Sequence, residues 1–242
     1  MVDALLAVGA YAREQMRDRI AEIEREVDAK RYRPGPWDAL LKDARALPRE
    51  EREPLKEEFT RVSSKLHRRD GRATLSLTAG VLAEAALTAL GGVLIVLAIH
   101  NHSNLLAILT ALIWMMTFQP LVKIAVGYVL GVEYEYAYLY GVEPRFKMRF
   151  GDYIAAPRWA RIVLHLSGTI GSPIGVWLAI VCLPTDLRTG IGVCWAMFWF
   201  VVVINLASFI AAMAGLRKIG PFKASASSGG SAALELREAL EI

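Results

Sequence analysis

Four long apolar blocks, at residues 73–99, 104–131, 162–183 and 190–216, follow a polar first third and are separated by short polar breaks. Each is long enough to cross a hydrocarbon layer about 30 Å thick. A segment in lipid has to satisfy its own backbone hydrogen bonds, so the pattern predicts four transmembrane helices in an all-α, polytopic membrane protein. The transmembrane domain is expected over residues 71–220.

Upstream, Met16, Ile20, Ile23 and Val27 recur at helical spacing, and so do Leu55, Phe59, Val62 and Leu66. They predict two amphipathic helices within a separate helical region, residues 1–70. The run Arg31-Tyr-Arg-Pro-Gly-Pro-Trp37 breaks the first helix, and Asp38–Leu47 forms a short helix that Pro48 stops. Both stripes are narrow, like a coiled-coil seam. They are expected to pack against each other, against a second copy or protein partner, or along the membrane surface.

Between the second and third blocks, Tyr134, Tyr136, Tyr138 and Tyr140 alternate with other residues as in a strand. An isolated strand beside lipid leaves its edges unpaired, so residues 132–158 are read as a helix end followed by an interfacial segment. After the fourth block, Ser225–Ser231 has linker composition and Ala232–Ile242 fits a short helix. Residues 221–242 are expected to form a flexible tail.

Charge changes this picture by giving it a direction. The chain is 55% hydrophobic and 21% charged, and its net charge of +4 is concentrated beside the apolar blocks. Arg61, Lys65, Arg68, Arg69 and Arg72 precede the first; Arg145, Lys147, Arg149, Arg158 and Arg161 stand between the second and third; Arg217, Lys218 and Lys223 follow the fourth. The alternate loops, residues 100–104 and 184–188, hold little basic charge. The positive-inside rule then places both termini in the cytoplasm, beside the anionic headgroups of a plasma (inner) membrane. Such clusters do not signal nucleic acid. The apolar run Ala4–Ala10 is too short for a secretory signal, so no cleavage is expected.

Polar residues within the blocks are the candidate chemistry. Glu84, Gln119 and Asn205 lie at one depth, roughly 16 Å from the cytoplasmic ends of their helices at 1.5 Å per residue. Lys123 is one turn beyond Gln119, within reach of Glu84. Each sits among small residues: Gly80 and Gly92 flank Glu84, Gly127 follows Lys123, and Ser208, Ala212 and Gly215 continue from Asn205. The third block adds Gly168, Gly171, Ser172 and Gly175 around Pro173. Small residues at this spacing mark close helix packing, so the polar groups are expected to point inward. A mid-membrane Glu and Lys at compatible depths predict an ion pair. It serves either as structural glue, the favoured reading, or as the proton or cargo site of a small transporter. Pro120 should kink the second helix beside this layer. Cys182 and Cys194 are read as small packed hydrophobes, with a disulfide as the alternative.

From Gln119 onward the order of features resembles the core of the site-2 proteases, which are intramembrane zinc metalloproteases. Glu135-Tyr-Ala-Tyr-Leu-Tyr-Gly141-Val142 resembles the stretch after that family's H-E-x-x-H helix. Gly168-Thr-Ile-Gly-Ser-Pro173 resembles its Gly-Pro segment, and Asn205–Gly215 its late Asn-to-Asp-Gly stretch. The resemblance would put the two histidines on Val129 and Glu133 and the glutamate on Leu130, and no aspartate lies between Asn205 and Gly215. Zinc needs nitrogen, oxygen or sulfur donors, and this set offers one carboxylate. The resemblance therefore implies an inactive relative retained for binding.

The chain has no phosphate-binding loop, no nucleophile elbow and no metal-ligand spacing of Cys or His. No catalytic residue, metal or cofactor is assigned, and the reading leans away from an enzyme. It favours a scaffold or partner-binding component acting through the N-terminal helices.

Overall fold

The computed structural model describes residues 2–69, 71, 73–140, 143–216, 218–219, 222–223 and 228–239. The sequence readings at Arg72, Gly141, Val142 and Arg217, and along the first part of the linker, fall outside the described residues. The chain is mostly helical and divides into two compact units.

The first unit comprises residues 1–73, 131–133 and 148–157. Its helices are α1 (Val2–Asp28), α2 (Pro36–Ala46), α3 (Arg49–Arg52), α4 (Lys56–Arg68) and α7 (Phe150–Ala155). The two predicted stripes close on each other. Met16, Ile20, Ile23, Leu55, Phe59 and Val62 are buried together with Leu40, Leu41 and Ala44 of α2. Val27 and Leu66 are half-buried. The stripe is thus used as a core and is not left open for a partner. Trp37 bridges Phe59 and Phe150 at ring-centroid distances of 5.8 Å. The α7 segment, expected in the interfacial loop, is an integral piece of this core: the Gly151 N–H donates to Thr60 Oγ1 at 3.0 Å, and Arg52 Nη1 donates to the Ile154 carbonyl at 2.7 Å.

Ion pairs cover the outside of this core. Arg61 Nε meets Glu24 at 2.8 Å, Lys65 meets Asp28 at 2.7 Å, and Arg19 meets Asp43 at 2.7 Å. Hydrogen bonding from Arg61, opposed by partial burial and aided by Lys65, pulls the Glu24 carboxyl down to about 2.

The second unit comprises residues 74–130, 134–147 and 158–242. Four of its helices are long and apolar enough to cross a membrane: α5 (Leu77–His100), α6 (Asn104–Val129), α8 (Arg158–Cys182) and α9 (Arg188–Met213). Ser76 starts α5 by accepting the Ala79 N–H at 3.2 Å, and Ser103 starts α6 by accepting the Leu106 N–H at 3.4 Å. Helix α6 continues through Pro120, and α8 through Pro173. The core of this unit gathers Ala98, Ala107, Ala111, Val176, Ala179 and Cys194, small side chains that let backbones approach closely. Cys182 and Cys194 are free thiols. Between the loops at residues 100–104 and 184–188, His102 Nδ1 stands 2.5 Å from Asp186 Oδ2.

Two elements depart from the sequence reading. The tyrosine-rich segment is a sheet and not an interfacial coil: β1 (Thr74–Ser76), β2 (Tyr134–Tyr140) and β3 (Glu143–Met148) lie in the order β1-β2-β3. Strand β1 pairs antiparallel with β2, Leu75 opposite Ala137, and supplies the backbone partner whose absence had argued against a strand. The tail also packs. After a small hairpin, β4 (Lys218–Ile219) with β5 (Phe222–Lys223), helix α10 (Ser228–Ala239) lies against α8 and α9. Within the expected tail, α10 is a docked helix with Ala232 and Ala233 fully buried, and residues 224–227 and 240–242 lie outside the described residues.

Candidate functional site

The predicted polar residues distribute over three contacts within the second unit. Glu84 is completely buried on α5, and its carbonyl accepts the Thr88 hydroxyl at 2.8 Å. The Thr88 carbonyl in turn accepts the Trp114 indole N–H at 3.0 Å, tying α5 to α6. Gly91 makes room for that indole: an added Cβ would stand 2.5 Å from Trp114 Cδ1. Its neighbour Gly92, expected to be a close-packing residue, has nothing within 4 Å of such a Cβ among the described residues beyond its own helix turn. The correction is one of phase, since a step of one residue turns a helical position by about 100°.

Gln119 lies at a close approach of α6 and α8. Its Oε1 accepts the Ser172 hydroxyl at 3.2 Å, and a Cβ on Gly171 would stand 2.7 Å from its Cα. Gly175, one turn along α8, meets the main chain of Trp114 and Met115. These two glycines therefore do join helices.

Gly80 and Gly127 are close-packed too, but against the sheet. Gly80 receives Ala137 and the Phe146 ring, and Gly127 receives the Tyr134 ring, 2.7 Å from where its Cβ would be. Tyr134 donates its hydroxyl to the Lys123 carbonyl at 2.8 Å, and burial pushes that hydroxyl's pKa up. On β3, burial pulls the Lys147 ammonium down to about 8, an effect that Glu135 partly offsets.

Asn205 belongs to the third contact. Its amide donates to the Val201 carbonyl in its own helix at 3.1 Å, and its main chain meets α10, where a Cβ on Gly229 would stand 2.5 Å from the Asn205 carbonyl oxygen. The small face Asn205, Ser208, Ala212 and Gly215 is thus the seat of the C-terminal helix. Beside it lies the pair that sequence reading missed. Arg161 Nε and Glu235 Oε2 are 2.8 Å apart, with 1% and 4% of their side chains exposed. In the sequence Arg161 reads only as one of the basic residues flanking the third apolar block. Its signal was available in the matching small residues of residues 229–233, which fit the small face of α9.

Among the described residues no three of His, Cys, Asp and Glu stand close enough together to hold a metal ion. No known protein family, curated protein or solved structure matches the chain.

Proposed function

We propose that the chain is a non-enzymatic multi-pass protein of the plasma (inner) membrane, with both termini cytoplasmic, working as a scaffold or partner-binding component. The observation that carries this reading is the bonding of the intramembrane polar groups between helices: Ser172 to Gln119, and Trp114 to the Thr88 carbonyl. Groups used in this way hold a bundle together, and Glu84 with Lys123 is its charged member. Because the apolar stripe of the N-terminal helices is consumed internally, a protein partner or second protomer would meet their charged exterior, where Arg17, Arg19, Asp43 and Glu58 lie.

The complete burial of Glu84 supports a second reading, a small transporter or proton-coupled protein. Kinship with the site-2 proteases, as an inactive relative, is a third. In the first reading Glu84→Gln lowers thermal stability in detergent and leaves proton and solute flux into proteoliposomes flat. Altered flux at unchanged stability would move the assignment to transport, and stoichiometric zinc in the purified protein would move it to a protease.

A further inference from the structure

Helix α10 runs parallel to α9, an unusual course for consecutive helices. Gly229 meets Asn205, Ala233 packs with Ala212, and Arg237 covers Gly215, so both helices advance in the same direction. Helix α9 ends at Met213, and α10 starts beside a residue eight positions inside that helix, about 12 Å from its end at 1.5 Å per residue. A helix of twelve residues that begins Ser-Gly-Gly has little stability of its own. Its fold depends on the groove it occupies.

That groove has two recognition features. One is a floor of small residues on α9, Ser208, Ala212 and Gly215, which admits only a helix face that is itself small; Gly229, Ala232 and Ala233 provide one. The other is the Arg161 guanidinium on α8, enclosed and answered by the Glu235 carboxylate at 2.8 Å. A buried guanidinium is costly unless a carboxylate meets it, so this position discriminates sharply among helices.

We propose that the α8/α9 groove is a helix-binding site for a partner protein, and that α10 is its resident intramolecular ligand. The partner's segment is a short helix with α10's chemistry: small residues at positions equivalent to 229, 232 and 233, and a carboxylate at the position equivalent to 235. The groove is built from residues of the second unit and the charged exterior from residues of the first, so substitutions test the two surfaces independently. Exchange exposes α10 and hands Arg161 from one carboxylate to another, which keeps the guanidinium matched before and after and lets two similar helices compete on nearly equal terms.

The test uses the full chain in lipid nanodiscs, with Cys182→Ser and Cys194→Ala to remove the native thiols and Ala233→Cys as a reporter on the buried face of α10. A synthetic peptide of residues 228–239 is the probe. Added to saturation, it should speed maleimide labelling of the reporter by about tenfold or more, and the same peptide with Glu235→Lys should not. If the reporter cysteine disturbs the seat, a fluorescent form of the peptide titrated against the chain carrying only Glu235→Gln gives the same answer, with binding lost on adding Arg161→Gln. A charge-reversed pair, Arg161→Glu in the chain and Glu235→Arg in the peptide, should restore it. Labelling or binding unaffected by the peptide overturns the proposal, and so does an equal response to the Lys-bearing peptide. Release that follows protein concentration without peptide would assign the groove to a second copy of this chain, and would also overturn it.

Discussion

Tyr134 lays its ring on Gly127 and donates its hydroxyl to the Lys123 carbonyl, so one strand residue closes over the last turns of α6. The contact explains why a glycine stands there, and it separates glycines that serve packing from those that do not. Gly127→Ala and Gly171→Ala each push a Cβ into occupied space and should cost about 1–3 kcal/mol. Gly92→Ala, whose added Cβ meets nothing among the described residues, should be neutral or slightly stabilising through helix propensity. Thermal unfolding in detergent compares the three, and a Gly92→Ala loss equal to that of Gly171→Ala would contradict this packing.

Arg161 and Glu235 are enclosed together. Glu235→Gln or Arg161→Gln alone should destabilise the second unit by about 3–5 kcal/mol, because either leaves the other charge buried, whereas Arg161→Met with Glu235→Leu should recover most of the loss. A double-mutant cycle read by denaturation checks this, and additive single losses would remove the pair from the account.

The N-terminal stripe forms a core, so Ile20→Asp or Val62→Asp should unfold the first unit and not merely weaken an association. A carboxylate placed at a position with at most 1% exposure and no prepared partner costs several kcal/mol. Circular dichroism and limited proteolysis distinguish the outcomes. Retained helicity with protection unchanged would show that the stripe tolerates solvent.

The Glu24 carboxyl titrates at about 2 in the folded chain against 4.5 unperturbed. The folded pKa is depressed, so the stabilisation is present above pH 4.5 and is lost as pH falls toward 2. Since Arg61 is largely exposed and screened, the contribution is about 1 kcal/mol or less, and Glu24→Gln should remove this part of the acid dependence without altering stability in 1 M salt as strongly as at low salt.

Periodicity carried the long elements well. The four apolar helices start and end within four residues of the blocks read from sequence, and the stripes at Met16–Val27 and Leu55–Leu66 do form amphipathic helices. Which face meets what was less legible. Tyr134–Tyr140 alternates like a strand, but one of its two neighbours in the sheet is only three residues long and lies some sixty positions upstream in Thr74–Ser76, inside what reads as the first apolar block. Gly80 and Gly127 announce a close neighbour without saying whether it is a helix or a sheet. Asn205 shares a depth with Glu84 and Gln119, but depth along a helix does not fix azimuth, and its main chain faces α10. The Arg161–Glu235 contact spans 74 positions between two segments with separate local explanations, a basic flank and a polar tail.

That separation also has a timetable. A ribosome working at about 5–20 residues per second makes the carboxylate of Glu235 roughly 4–15 s after the guanidinium of Arg161. Once α9 is complete at Met213, 22 residues before Glu235, the nascent α8 and α9 present an open seam to any chaperone or neighbouring polypeptide for about 1–4 s at that rate, so the groove is closed by a helix made after both of its walls.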